Sequence, residues 1–311
     1  MNAIEALDVT KKYKGSLTYA INNISLNIEP GRIFTLLGRN GAGKTTFVRI
    51  CATQLLPSSG TIKIFGNDLI KDTEKIRREI SIVPQEGRPL RALTPWDHVH
   101  YWLRIMGFCK VDSYTRTKKI LEEFELYDVR NKPAMYLSGG MKQKVLVAMA
   151  MATDSKLLFL DEPTIGLDPV SRRQVWNAIK KKKENGTTIL LTTHYMDEAE
   201  VLSDDIVIID KGIVISQGTI ADIRKNIKEN IKVEISKAAV DGEMLKSYGT
   251  VVDGGAETIK LFTFESNIQE LSTIAIKKNL FFKVSPITLD DVFVSLVGSE
   301  SNNLGKELTR D

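Results

Sequence analysis

Short apolar runs rich in Ile, Val, Leu and Phe, four or five positions long, recur along the first two-thirds of the chain: Ile33–Leu37, Ile80–Val83, Leu157–Leu160, Thr188–Thr192 and Ile206–Ile209. A strand that is apolar at successive positions is covered on both faces, which is the condition of a mostly parallel sheet between two layers. Ile213–Ser216 follows the last run across Lys211-Gly212, a hairpin signal. Stretches with helical period lie between the runs, so the pattern predicts an α/β fold. From about Pro89 to Met151 the strand runs cease and helical stretches follow one another, Pro95–Met106, Ser113–Phe124 and Gly139–Ala152. This predicts a helical insert, about residues 89–152, within one α/β domain covering 1–220.

Beyond Ile220 the pattern changes. A Lys-rich connector, Arg224–Lys232, leads into candidate strands Lys232–Ser236, Thr250–Asp253, Thr258–Phe264 and Leu280–Ser285, with candidate helices Asp241–Tyr248 and Asn267–Lys278 between them. The order is βαββαβ, which predicts a small α+β domain over 221–298 with a ferredoxin-like arrangement as the candidate. The polar tail, 299–311, is expected to be loose. No tandem period of 20–50 residues is present, which excludes a solenoid.

Composition changes this picture little. The 311 residues, 42% hydrophobic and 26% charged, suit about two globular domains. A net charge of +4, with cations spread among acids, does not call for nucleic acid as a partner. Cys51 and Cys109 stand far apart without metal-ligand spacing, which argues against a disulfide framework or a zinc site and fits a reducing compartment. No run approaches the roughly 18–20 apolar residues that span a bilayer. Glu5 and Asp8 interrupt what would be the apolar stretch of an export signal. The expectation is a cytoplasmic protein that reaches a membrane only through a partner.

The chemistry concentrates in three places. Gly38-Arg39-Asn40-Gly41-Ala42-Gly43-Lys44-Thr45-Thr46 matches GxxxxGK[ST] between a strand candidate and the helical Thr46–Thr53. Glycines let backbone N–H groups curl around phosphate oxygens, Lys44 brings a charge to the β/γ-phosphates, and Thr45 offers a hydroxyl to Mg²⁺. Kinases, GTPases, helicases and transport ATPases all carry such a loop. Leu157–Leu160 ends in Asp161-Glu162, which would deliver one carboxylate to the Mg²⁺ shell and the other toward an attacking water. Finally, Leu137-Ser138-Gly139-Gly140-Met141-Lys142-Gln143 opens a long helix, where Ser138 and the free N–H groups of Gly139 and Gly140 form an anion-binding cup.

In order along about Ala3–Ser216, the phosphate loop, Gln85 after a strand, Ser138-Gly139-Gly140, Asp161-Glu162, Gly166-Leu167-Asp168 and His194 together resemble the ABC ATPase family. The resemblance implies a P-loop cassette with antiparallel N-terminal strands, working with a second ATPase subunit as a head-to-tail dimer. Each ATP would lie between one chain's loop (Gly38, Asn40, Gly41, Ala42, Gly43, Lys44, Thr45, Thr46) and the other's Ser138, Gly139 and Gly140. It further implies that Tyr13 stacks on adenine, that Gln85 reaches Mg²⁺ and water beside Thr45 and Asp161, and that Glu162 and His194 act at the γ-phosphate. Asp168 would communicate across the dimer, and Glu86–Trp96 would meet the membrane subunit. Met141 departs from the family's usual Gln, which removes a side-chain contact and leaves the backbone cup.

Thr192–Glu200 and Leu289-Asp290-Asp291-Val292-Phe293 look like the daunorubicin-resistance and sodium-extrusion branch of prokaryotic ABC exporters. In that branch the transmembrane permease is a separate polypeptide, and the ATPase is peripheral on the inner membrane face. The rival readings are an ABC ATPase acting on nucleic acid or ribosomes, and a regulatory ATPase that binds nucleotide without pumping. A single cassette without heptad runs disfavours the first, and motifs alone do not separate the second.

Overall fold

The apolar runs are strands in the computed structural model, which describes residues 1–85, 87–237, 242–253 and 257–297. The chain divides into two units, Met1–Thr219 and Ile220–Asp311. The first begins with strands β1 (Ile4–Lys11), β2 (Ile21–Ile28) and β3 (Ile33–Leu37), then helix α1 (Lys44–Cys51). It continues through β4 (Ser59–Ile64), β5 (Asn67–Asp68), α2 (Thr73–Glu79) and β6 (Ile80–Val83). Helices α3 (Pro95–Ile105), α4 (Lys110–Glu123) and α5 (Gly139–Met151) form the insert. The unit closes with β7 (Leu157–Asp161), α6 (Pro169–Glu184), β8 (Thr188–Thr193), α7 (Met196–Leu202) and the hairpin β9 (Asp205–Asp210) to β10 (Ile213–Gly218).

Two sheets result. The strands β2-β1-β4-β5 are antiparallel, whereas β10-β9-β3-β8-β7-β6 is parallel from β9 to β6 with β10 antiparallel at its edge. The parallel sheet explains the continuous apolar runs, because each strand sends alternate side chains into two different cores. Leu157, Phe159 and Leu190 join the core shared with the antiparallel sheet and α1. Leu158, Leu160, Ile189 and Leu191 join the core shared with the helical insert. Local chemistry sets the boundaries. Thr94 and Asp97 form a capping box on α3, with Pro95 in its first turn. Lys211 and Gly212 both take positive φ, 47° and 80°, the type I′ turn that a two-residue hairpin favours.

The second unit contains α8 (Ile220–Arg224), β11 (Ile231–Ser236), α9 (Gly242–Leu245), β12 (Gly249–Asp253), β13 (Thr258–Thr263), α10 (Ile268–Lys277), β14 (Phe282–Pro286) and a helix at 289–297. Its sheet runs β12-β13-β11-β14, antiparallel throughout. Val233, Leu245, Leu261 and Leu271 are fully buried at its centre. The Leu289–Phe293 segment, met in the sequence only as a marker of a family branch, starts the last described helix and buries Leu289, Val292 and Phe293. Asp291 on that helix accepts from Lys232 Nζ of β11 at 2.7 Å and from the Thr288 amide and hydroxyl. The expected loose tail, 299–311, and Asp241 of the expected helix 241–248 lie outside the described residues.

Candidate functional site

Register brings the chemistry to one edge of the parallel sheet. Leu37 pairs with Thr193, Asp161 with Thr192 and Val83 with Leu160, so four neighbouring strands end at the same level. The loop after β3, Gln85 after β6, Glu162 after β7 and His194 after β8 therefore leave from the carboxyl ends together, where open α/β sheets bind their ligands.

The loop after β3 needs its glycines for room. A Cβ on Gly38 would stand 2.3 Å from the Ile209 carbonyl oxygen, and one on Gly43, at φ 109°, 2.4 Å from that of Ala20. Gly43 caps α1 without a side-chain hydrogen bond, which leaves the first N–H groups of the helix for an anion. Lys44 opens the helix, two residues earlier than the sequence pattern suggests, and is nearly fully buried. Its Nζ donates to the carbonyls of Gly38 at 2.7 Å and Arg39 at 3.1 Å and lies 3.8 Å from Glu162 Oε1. Burial pushes the Lys44 pKa down against the pull of Glu162 and Asp161. Asn40 to Thr46, with Ala20, Gln85 and Glu162, line an open cavity of about 380 Å³.

Four oxygen-bearing side chains, Thr45, Gln85, Asp161 and Thr192, meet beside it. Thr45 Oγ1 donates toward Gln85 Oε1 at 3.0 Å and Asp161 Oδ1 at 3.3 Å, and Thr192 Oγ1 donates to the same Asp161 oxygen. Burial raises the Asp161 pKa, with the two hydroxyls and Lys44 opposing and Glu162 adding to the rise. Glu162 follows at φ +50°, a region that non-glycine residues seldom occupy and that marks a constrained position. Its amide is held by the carbonyl and hydroxyl of Thr192, both at 3.1 Å, and its carboxylate is buried. His194 Nδ1 lies 3.3 Å from Glu162 Oε1, and its ring rests on Tyr195 at 4.2 Å.

Other expected residues stand elsewhere. Tyr13 is at the rim, 42% exposed, with its hydroxyl 3.2 Å from Thr46 Oγ1. Ser138 caps α5 and accepts from the Met141 amide at 3.2 Å. Neither it nor Gly139 and Gly140 lines the phosphate-loop cavity; Gly139 borders a separate groove with Arg88, Arg91 and Lys142. Asp168 caps α6, accepting from the Val170 and Ser171 amides at 3.0 Å and the Ser171 hydroxyl at 2.7 Å, and these donors hold its carboxyl below the usual range. Trp96, at the end of the segment expected to meet the membrane subunit, is half-buried in the first turn of α3, edge-on to Tyr114 at 4.9 Å. Glu86 lies outside the described residues.

Two participants carry no individual sequence signal. Thr192 holds both Asp161 and the Glu162 amide, yet reads in the sequence as one more strand residue, like Thr188 and Thr193 of the same strand. Gln143, one turn into α5, donates to the Pro163 carbonyl at 2.9 Å and so ties the Ser138 helix to the loop after Glu162.

A glycine cradle with a buried lysine, joined at the sheet edge by a threonine, a glutamine and two carboxylates, is the site of a P-loop nucleotide hydrolase. The ABC transporter family model matches residues 21–165. The daunorubicin/doxorubicin resistance ATP-binding protein DrrA of Streptomyces peucetius is 32% identical over 317 residues, spanning 98% of this chain and 95% of that protein. Two solved structures are similar: an ATP-binding subunit of an ABC transporter, 29% identical with a TM-score of 0.67 over 72% of this chain and 92% of its own, and a dimeric ATP-binding cassette in a post-hydrolysis state bound to ADP and phosphate, 28% identical with a TM-score of 0.65 over 70% and 98%. The chain belongs to the ATP-binding proteins of the ABC transporter family. It is an ATPase subunit, and among its described residues no helix is long and apolar enough to cross a membrane.

Proposed function

We propose that this chain powers export through a separate transmembrane permease, by closing on ATP as a head-to-tail dimer at the inner face of the membrane. The observation that carries the reading is a division of labour within the cassette: the phosphate loop, Asp161, Glu162 and His194 share one sheet edge, while Ser138, Gly139 and Gly140 at the head of α5 lie outside the phosphate-loop cavity, with Gly139 bordering a separate groove. A second copy could bring its Ser138 cup to the open side of the first copy's cavity. The dimeric state of the similar cassette supports this. Export follows the drug-resistance name of the DrrA relative, which the chain matches across both units.

In this reading Lys44 and the loop amides bind the β/γ-phosphates, Tyr13 at the rim stacks on adenine, and Glu162 accepts the proton of the attacking water. His194 contacts the γ-phosphate, and Asp168 reports across the dimer from its place at the head of α6. Thr45, Gln85 and Asp161 form an all-oxygen donor set that suits a hard divalent cation and would hold Mg²⁺. Bound there, the cation would neutralise charge on the phosphates. The cassette is 1–220 with its helical insert at 89–152, and 221–298 is a ferredoxin-like accessory domain, a reading supported by its βαββαβ order and its β12-β13-β11-β14 sheet.

The composite site has a direct test in Ser138→Arg. Each purified chain should still bind nucleotide, whereas ATP-dependent dimerisation and hydrolysis should both be lost. Normal turnover in that variant would remove the dimer from the mechanism. Copurification with a membrane partner, followed by transport in vesicles, tests the export assignment.

A further inference from the structure

Glu198 is the one completely buried carboxylate in the first turn of α7, and it lies outside the phosphate-loop cavity. Its Oε1 accepts two hydrogen bonds, from Thr164 Oγ1 at 2.8 Å and from Trp176 Nε1 at 2.9 Å. Its Oε2 is buried with no donor at full hydrogen-bond distance, and the Thr193 hydroxyl beside His194 also steadies the carboxylate's charge. A buried acid left half satisfied beside a reactive centre needs a reason, since an apolar residue would fill the same space without stranding a polar atom.

The donors supply the reason. Thr164 belongs to the loop two residues past Glu162, and Trp176 belongs to α6, the helix into which that loop runs. Glu198 itself stands four residues past His194. One carboxylate oxygen therefore joins the segment carrying Glu162 to the segment carrying His194. A second set of contacts reinforces the joint: Arg172 of α6 pairs with Asp197 of α7 at 2.6 Å and lies over the rings of Tyr195 at 4.7 Å and Trp176 at 5.2 Å. The His194 ring rests on Tyr195, and the Tyr195 amide donates to Thr193 Oγ1 at 3.0 Å. His194 thus stands on a platform whose position depends on α6 and α7 being locked together.

We infer that Glu198 is a positioning residue for hydrolysis, holding the Glu162 and His194 side chains at their 3.3 Å approach by bonding Thr164 and Trp176 behind them. It does not line the phosphate-loop cavity and would act only through the segments it joins. The inference rests on Glu162 and His194 acting in the reaction. Burial raises the Glu198 pKa, against the hydroxyl and indole donors and the Arg172 charge, as expected for a group kept in place despite its desolvation.

The test is steady-state ATP hydrolysis by the full chain, with ATP affinity measured separately by a fluorescent nucleotide. A displacement of about 1 Å at a reacting group costs on the order of 100-fold. Glu198→Ala should accordingly lower kcat by about 30- to 100-fold while KM and ATP affinity stay within about threefold. Glu198→Gln keeps an acceptor for both donors and should recover kcat to within about fivefold of the parent. Thr164→Val, near-isosteric, should lower kcat about five- to tenfold, and added to Glu198→Ala should lower it no more than about twofold further, because both act through one bond. Parent-like kcat in Glu198→Ala, or losses that simply multiply in the double variant, would overturn the inference. If Glu198→Ala does not fold, the Glu198→Gln and Thr164→Val pair decides: equal, deep loss in Glu198→Gln assigns the role to charge and refutes positioning by these hydrogen bonds. Failure of the underlying catalytic reading looks different, as parent-like turnover in Glu162→Gln whatever the Glu198 variants do.

Discussion

Replacing Glu162 by Gln separates catalysis from stability at a single atom. The carboxylate is buried, 3.8 Å from Lys44 Nζ and 3.3 Å from His194 Nδ1. Two unit charges at about 4 Å interact by about 4 kcal/mol at an effective dielectric of about 20. Against the loss of that attraction stands the removed desolvation penalty of a buried carboxylate, several kcal/mol in its own right, and the relief of like charge on adjacent Asp161. These terms oppose each other at similar size, so the fold should shift by no more than about 1–2 kcal/mol, a Tm change of under about 8 °C. Turnover has no such compensation. A general base contributes about 10²–10⁴-fold, equivalent to about 3–5 kcal/mol of barrier. Single-turnover ATP hydrolysis and a thermal melt on the same sample read both quantities, and an ATP-loaded dimer should accumulate on a sizing column. A kcat within threefold of the parent, at unchanged affinity, would refute Glu162 as the base.

Asp161→Asn should raise the Tm of the nucleotide-free chain while abolishing magnesium-dependent hydrolysis. Burial raises the Asp161 pKa in the fold, so its ionised form costs stability as pH rises through that value, and below the ordinary carboxylate pKa the difference should vanish. Melts between about pH 4 and about pH 8 check the sign. Asp291→Ala should destabilise the second unit by about 3 kcal/mol, since it strands Lys232 in a buried pair. Burial pushes the Asp291 carboxyl up, but Lys232 and the Thr288 donors carry it below its usual range, so its contribution is full above the ordinary carboxylate pKa and is lost as pH falls through the depressed one. Denaturant unfolding of the full chain against pH measures this. Phe159→Ala, at a position with no exposure in the core beside α1, should cost about 3–5 kcal/mol and lower expression of folded protein before it alters KM.

Much of the molecule is written in local pattern. Runs such as Leu157–Leu160 are apolar on both faces, and only a sheet covered on both sides accommodates them, so the strands and their parallel pairing follow from residue type. The phosphate loop is legible because its glycines, Lys44 and Thr45 act through backbone shape and one charge, all within nine consecutive residues. Asp161 and Glu162 are readable for the same reason, as acids at the end of an apolar strand. Strand register is a different matter: that Thr192 faces Asp161, 31 residues away, depends on the pairing of β7 with β8. No property of Thr192 alone announces it.

Sequence by itself therefore determined the layers, the phosphate-binding chemistry and the family, since each rests on neighbours in the chain. Tertiary structure decided which distant groups share an atom: Thr45, Gln85 and Asp161 at one corner, and Thr164, Trp176 and Glu198 behind Glu162 and His194. It also decided that Ser138 does not line the cavity that Lys44 lines, because the start of α5 and the phosphate loop border different openings. The physical reason is range. Propensity and periodicity act over a few residues, whereas hydrogen bonds between side chains require positions that only the packed sheet and its helices establish.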